Sequence, residues 1–235
     1  MTLRTLTDAS TPDSASPLRG DTAGPRCLIA CFLLVLLETG GAAAEGSLGP
    51  SPTSFDHFQY GGALTAETVP SAGHLCPGDA IQPCILQGGG GLAIRAGYRS
   101  RLPWYLGGAY EFSRHDSSNL LVLPILQQIR AEGRYYWDHG QRLQPYLLAG
   151  AGFALYGDEW AAETAGAVGA LGLGLEFQVS PELVVGGALA YRPLLLRQWT
   201  DSAGQLRADT LAGFGLAHLI SIEIGVELRD PLPRW

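Results

Sequence analysis

The chain has 235 residues, of which 46% are hydrophobic and only 16% charged, and every basic residue other than histidine is an arginine. Its formal net charge of −7, with no clustered basic face, argues against a nucleic-acid partner. The 32 glycines follow no collagen repeat and accompany abundant apolar residues, which argues against a disordered chain.

Residues 1–44 are predicted to be a cleaved signal peptide with a long n-region. Arginines precede an apolar run, Cys27–Leu37, which is shorter than the about 20 residues that a membrane-spanning helix needs. Small residues follow the run, and their pattern predicts cleavage after Ala44. An N-terminal extension or a mis-assigned start would both explain the length of the n-region. Leu28–Cys31 is similar to a lipoprotein box, but it opens the apolar run and does not close it. A short segment, 45–54, then precedes the first predicted strand.

Two cysteines, Cys76 and Cys84, remain after removal of the signal peptide. In an exported chain, two cysteines so close in sequence favour a local disulfide. Pro77 and Pro83 lie between them and favour the turn that would close it. A metal site would lack further nearby ligands apart from His74, so we predict a disulfide and no bound metal.

A period-two alternation of apolar and small or polar residues recurs along the mature chain and predicts eight β-strands. It is clearest near residue 172, where Leu171 and Leu173 share one face while Gly172 and Glu176 share the other. The predicted strands are Phe55–Leu64, Leu92–Arg99, Trp104–Arg114, Ile125–Asp138, Tyr146–Leu155, Ala165–Val179, Val184–Arg192 and Ile220–Arg229.

The connections between these strands alternate in length. Three of them are tight turns, at Arg101–Pro103, Asp138–Gln141 and Ser180–Glu182. The longer connections are 66–87, 115–120, 158–163 and 197–213. This alternation is typical of outer-membrane barrels, which have short periplasmic turns and longer external loops. Outside the signal, no uncharged stretch reaches the about 18 residues expected of a transmembrane helix.

Aromatic residues cluster at the strand ends on the apolar face, where they would form the two girdles of a membrane barrel. Beside the short turns lie Tyr98, Trp104, Tyr135, Trp137 and Phe177, and toward the other rim lie Tyr110, Phe112 and Tyr191. The alternative is a soluble sandwich or lipocalin-like barrel. In that fold the apolar faces would be buried in protein, and arginine and glutamate would lie outside.

With its signal, its eight alternating segments and its unequal loops, the chain resembles the small outer-membrane β-barrels of the OmpA–OmpX type and the uncharacterised outer-membrane barrel proteins of Gram-negative bacteria. The resemblance covers residues 55–229. It implies an all-β fold: an eight-stranded antiparallel up-and-down transmembrane β-barrel after a cleaved signal peptide, located in the outer membrane. The implied partners are outer-membrane lipid and the assembly machinery, and the implied state is a monomer.

The C-terminal tail, 230–235, departs from that family. Such barrels usually end in an aromatic residue that closes the last strand and acts as an assembly signal. Here Trp235 follows Asp230–Pro233, whose two prolines are expected to break the strand.

Charged residues on the other face of the strands would line the barrel interior. They are Arg95, Arg99, Arg130, Arg134, Arg192 and Arg229, with Glu111, Glu132, Glu176, Glu223 and Glu227. The six arginines and five glutamates are nearly equal in number, so we predict that they form ion pairs with one another, because isolated charges in a narrow lumen are costly. An eight-stranded barrel is just wide enough for side chains to fill, so the interior is predicted to be plugged.

Depth along the strands divides these charges into two predicted layers. Arg95, Arg130, Glu132 and Glu223 would lie near mid-barrel, and Arg99, Arg134, Glu176, Glu227 and Arg229 nearer the periplasm. Glu176 is expected to pair with Arg99 or Arg134, and Gly172 and Gly174 to leave room for arginine side chains.

Three functions are consistent with this pattern. The leading one is a non-enzymatic barrel without a cofactor, with a structural or surface-interaction role through its external loops. A narrow ion or small-solute channel through the charge network is the second. The third is a lipid-modifying enzyme at the rim, which would use His115 and Ser117. The acidic loop with Asp158, Glu159 and Glu163 adds a conceivable contact with divalent cations or lipopolysaccharide.

Overall fold

The computed structural model describes residues 55–76, 83–137, 142–201, 204, 206–207 and 213–232. The predicted signal peptide, the segment 45–54 and Trp235 lie outside these residues. The strands are β1 (His57–Ser71), β2 (Gly89–Arg99), β3 (Trp104–His115), β4 (Pro124–Tyr136), β5 (Leu143–Asp158), β6 (Thr164–Gln178), β7 (Leu183–Arg197), β8 (Trp199–Thr200), β9 (Leu206–Arg207) and β10 (Phe214–Pro231). A 3-10 turn, Gly73–Leu75, follows β1.

Eight of these strands form one closed antiparallel barrel. Each strand from β1 to β6 pairs with the next one, β7 pairs with β10, and β10 pairs with β1 to complete the ring. The short strands β8 and β9 form a separate ribbon in the last external loop. This topology confirms the predicted eight-stranded up-and-down barrel. No helix in the described part of the chain is long and apolar enough to cross a membrane.

The strands are longer than the sequence pattern predicted, mostly at their external ends. β1 continues past Leu64 to Ser71, because its alternation persists with small and polar residues that resemble a loop. β10 begins at Phe214 and ends at Pro231, which still pairs with His57. β10 therefore ends two residues beyond the predicted barrel boundary at Arg229, and the second proline, Pro233, lies outside the described residues.

The outer surface of the barrel is that of a protein that spans a bilayer. Large apolar side chains on all eight strands point outward, and Leu106 and Phe153 are 70% and 76% exposed. Soluble monomers rarely expose contiguous apolar patches larger than a few hundred Å². With the charges inside and the apolar face outside, the soluble sandwich and the lipocalin-like barrel are both wrong.

Aromatic side chains ring the outside of the barrel near the short turns. Trp104 packs against Tyr135 with ring centroids 4.8 Å apart, and Tyr135 in turn lies 6.1 Å from Trp137. Tyr98, Phe177 and Tyr191 are also exposed on the outer face. Tyr110 and Phe112 are half-buried near the external rim.

The girdles predicted from the sequence lack some members. Phe58 and Tyr60 on β1 are exposed on the outer face, and Phe58 pairs in register with Tyr98. At the external rim, Trp160 from the loop after β5 packs on Phe112, with centroids 5.4 Å apart.

Candidate functional site

The interior of the barrel holds a continuous network of ionised side chains. All eleven charged residues predicted to face inward are buried there. Glu67 is buried with them, although the sequence pattern predicts a loop at this position, because the predicted first strand ends too early. The network thus contains six arginines and six glutamates. It consists of two layers, which we name here. The periplasmic layer is Arg99, Arg134, Arg229, Glu176 and Glu227. The central layer is Arg95, Arg130, Arg192, Glu67, Glu111, Glu132, Glu223 and His115.

Glu176 is the centre of the periplasmic layer. Its Oε2 accepts hydrogen bonds from Arg99 at 3.2 Å and Arg229 at 3.0 Å, and its Oε1 accepts one from Arg134 at 2.9 Å. The hydroxyl of Tyr136 also donates to Oε1, at 2.5 Å. One carboxylate therefore joins three guanidinium groups that come from three different strands.

Three buried tyrosines support the arginines of this layer through their ring faces. The guanidinium carbon of Arg99 lies 3.4 Å from the centroid of the Tyr136 ring. That of Arg134 lies 4.7 Å from Tyr105 and 5.1 Å from Tyr146. Cation–π contacts of this kind strengthen when they are desolvated. The sequence analysis assigned these tyrosines no role, although their positions on the inward face of the strands would have indicated contact with the charged residues.

The central layer is connected in the same way. Arg192 bridges Glu111, at 2.7 Å, and Glu67, at 3.1 Å, and it also pairs with Glu223. Arg130 pairs with Glu111 at 2.8 Å and with Glu132 at 3.2 Å.

Arg95 joins the two layers. It pairs with Glu223 in the central layer and approaches Glu227 of the periplasmic layer at 3.6 Å. Because Arg95 spans both layers, the network runs from mid-barrel to the periplasmic end without interruption.

His115 lies at the outer end of this network, but its surroundings do not form a catalytic triad. Glu67 Oε2 and Ser113 Oγ both approach the same ring nitrogen, Nε2, at 2.9 Å and 3.1 Å. In a triad the nucleophile and the acid bind opposite nitrogens of the imidazole. Ser117 is not part of this cluster, because its Oγ accepts a hydrogen bond from the backbone N–H of Leu121 at 3.1 Å. Both candidate residues of the rim enzyme are buried.

Above the charges, apolar side chains from the external loops and strand ends fill the mouth of the barrel. We call this cluster the outer plug. Its members are Ala72, Leu75, Ile85, Leu86, Leu121, Leu126, Ala154, Tyr156, Val168, Leu194, Leu196, Trp199, Ala217 and Leu219. No pattern in the sequence predicted it, because five of its fourteen members lie outside the strands and their direction depends on the folded loops.

A disulfide between Cys76 and Cys84 holds the first external loop above the plug, and this confirms the predicted pairing. Leu75, Ile85 and Leu86 flank the two cysteines and are fully buried in the plug. The ribbon of β8 and β9 lies against the same loop. Arg207 on β9 pairs with Asp201 at 2.7 Å and donates a hydrogen bond to the Pro83 carbonyl at 3.0 Å.

Space inside the described barrel is scarce. A cavity of about 10 Å³ lies beside Arg95, Tyr146 and Glu176. Such a volume corresponds to about one water molecule. Side chains therefore fill the lumen from the periplasmic layer to the outer plug.

The acidic loop after β5 is folded back on its neighbours. Asp158 accepts a hydrogen bond from the backbone N–H of Leu123 at 2.7 Å. Partial burial, together with the nearby charge of Asp158, raises the pKa of the Glu163 carboxyl. Among the described residues, no three histidine, cysteine or acidic side chains converge to hold a metal ion.

No protein-family model matches the sequence, and no curated protein matches it. The structure is similar to Neisserial surface protein A (TM-score 0.46, 16% identity), with 75% of this chain and 97% of that one covered. It is also similar to the outer membrane protein OprG from Pseudomonas aeruginosa (TM-score 0.46, 12% identity), with 76% of this chain and 97% of that one covered. A third similar structure is that of Ail, the attachment invasion locus protein of Yersinia pestis (TM-score 0.40, 16% identity), with 74% of this chain and 97% of that one covered. At these identities the likeness concerns the fold alone.

Proposed function

We propose that the protein is a sealed, non-enzymatic barrel of the outer membrane that holds a folded set of external loops at the cell surface. The single observation that carries this proposal is the filled interior. The charge network occupies the lumen from the periplasmic end to mid-barrel, and the outer plug occupies the external mouth. A closed barrel with an apolar belt and aromatic girdles is suited to the outer membrane, where it contacts lipid directly.

The external loops are the part of the molecule available to a partner. They are organised by the disulfide and by the Arg207–Asp201 ion pair, and they expose Val122 and Trp160. Organised loops lose less conformational entropy on binding than mobile ones do. The plug beneath them fixes them to a rigid barrel, so the loops and the barrel form one unit for surface interaction.

Single-channel recording in planar bilayers tests the sealed interior. The purified full-length barrel should give no discrete current steps, because the lumen lacks a continuous water-filled path. Glu223→Gln serves as a diagnostic variant, since it removes one central charge from the route that ions would take. Current steps in the wild type whose cation preference falls in this variant would establish the narrow channel instead.

Cell fractionation tests the location independently of conductance. The protein should sediment with the outer membrane, and its gel mobility should change on boiling as the barrel unfolds. Recovery as a soluble periplasmic protein would contradict the proposal.

A further inference from the structure

The two layers of the interior differ in their charge balance. In the central layer, Nδ1 of His115 lies 2.8 Å from the Gln87 carbonyl oxygen, and Nε2 lies 2.9 Å from the Glu67 carboxylate. A carbonyl only accepts a hydrogen bond, so Nδ1 carries a proton. The Glu67 carboxylate is shared between His115 and Arg192, whose guanidinium approaches its Oε1 at 3.1 Å. The central layer holds four glutamates and three arginines.

The periplasmic layer has an excess of positive charge. Three arginines there face two glutamates, Glu176 and Glu227. The Glu227 carboxylate is in addition approached by Arg95 from the central layer, at 3.6 Å. A local excess of positive charge inside a barrel is unfavourable, because the guanidinium group has lost its hydration.

The same layer contains buried donors without a protein partner. The side chains of Arg99 and Arg229 are 0% and 1% exposed. Nε of Arg99, and both Nε and Nη1 of Arg229, have no hydrogen-bond acceptor in the described structure. The two guanidinium groups lie close together, since both donate to Oε2 of Glu176.

The side chain of Gln144 extends this group of donors. Gln144 accepts a hydrogen bond from Arg99 Nη2 through Oε1, at 2.8 Å, and its amide nitrogen has no partner.

All these residues lie at the periplasmic ends of their strands. Arg99 is the last residue of β2, and Gln144 is the second residue of β5. The ring of inward-facing residues at this end contains no carboxylate among the described residues. It consists of His57, Arg99, Tyr105, Tyr136, Gln144, Gln178, Val184 and Arg229.

We propose that the periplasmic mouth of the barrel binds one small inorganic anion, held by Arg99, Arg229 and Gln144. The anion supplies the negative charge that the periplasmic layer lacks, and it accepts hydrogen bonds from the donors left unpaired by protein. It enters from the periplasm, because the outer plug closes the other end. This site does not depend on the role proposed for the external loops.

Thermal unfolding of the full-length barrel in detergent micelles tests the site, with chloride and inorganic phosphate as probes. Ionic strength is kept constant with the salt of a bulky sulfonate. A ligand that binds only the folded state raises the Tm as its concentration increases, here by about 3–5 °C for each tenfold increase above the Kd. Arg229→Gln should lose this response to both probes. Arg114→Gln, which changes an exposed arginine at the external end of β3, should keep it.

Two results would overturn the proposal. One is a wild-type Tm that depends on neither anion, since the free donors would then be satisfied by water. The other is an equal response in Arg229→Gln and the wild type. If Arg229→Gln does not fold, chloride NMR of the wild type decides. The proposed site broadens the chloride line, and phosphate narrows it again by competition, whereas a line that the folded barrel leaves unchanged excludes the site.

Discussion

At the scale of single residues, Glu176 shows how one side chain organises a buried layer. It accepts hydrogen bonds from Arg99, Arg134 and Arg229, so its carboxylate compensates charge contributed by three strands. The sequence predicted that Glu176 would pair with one of the first two arginines. It did not reveal the third, because Arg229 reaches the site only after β10 closes the barrel against β1.

Glu176→Gln should destabilise the barrel strongly. The substitution keeps the size of the side chain but leaves three buried guanidinium groups without their shared counter-charge. Loss of one partner from a buried ion pair typically costs about 3–5 kcal/mol. Urea unfolding of the refolded barrel, followed by tryptophan fluorescence, measures the change in free energy of unfolding. Glu182→Gln, in an exposed periplasmic turn, is the matched control and should change it by less than about 0.5 kcal/mol. Equal stabilities of the two variants would contradict the role given to Glu176.

At the scale of strands, small residues on the inner face decide which large side chains fit inside. Gly174 on β6 faces Tyr146 on β5, and a methyl group at Gly174 would collide with the tyrosine ring. The expectation that Gly174 leaves room for an arginine side chain is therefore incorrect, since a tyrosine occupies that space. The tyrosine in turn lies beside Arg134, so the glycine acts on the charge network indirectly.

Gly174→Ala should destabilise the barrel through overpacking. The added methyl group displaces the Tyr146 ring and disturbs its contact with Arg134, and overpacking of this kind usually costs about 1–3 kcal/mol. Gly133→Ala is the matched control on the lipid-facing side of β4, where the nearest atom to an added Cβ is 3.9 Å away. The midpoint of urea unfolding should fall for Gly174→Ala and stay near the wild-type value for Gly133→Ala. A similar midpoint for both would show that the tyrosine can move at little cost.

At the scale of the whole molecule, the barrel places its charges and its apolar surface on opposite sides of one continuous sheet. Closure of β10 on β1 leaves the barrel sheet without an edge strand, which satisfies the backbone hydrogen bonds within a bilayer. The belt of exposed leucine, isoleucine and valine then has lipid as its natural surroundings. The outer plug closes one end of this structure, and the periplasmic layer lies at the other.

An arginine introduced into the belt should therefore destabilise the folded barrel in lipid vesicles. Leu171 lies near the middle of β6 and is 60% exposed. Leu171→Arg should lower the free energy of unfolding by about 2–4 kcal/mol, because the charge must enter the hydrocarbon region. Leu206→Arg, at an exposed position in the external ribbon, should be close to neutral. If Leu171→Arg were as stable as Leu206→Arg, that face of the barrel would not contact lipid.

The sequence by itself determined the fold class, the number of barrel strands and the side of the sheet on which each strand residue lies. These features follow from local alternation with period two, which any short segment carries independently of the rest. For the same reason it identified eleven of the twelve ionised glutamate and arginine residues of the interior network. Glu67 was missed because the outer end of β1 is polar on one face and small on the other, and so resembles a loop.

Only the tertiary structure decided which charges pair, what fills the external mouth and which buried donors have no protein partner. Partners such as Glu176 and Arg229 are 53 residues apart in sequence, and their contact depends on the register of strands around the closed barrel. The outer plug depends on loops held by a disulfide and by contacts between distant segments. Alternation and position along a strand fix the face and the approximate depth of a side chain, whereas its neighbours across the lumen arise from closure of the ring.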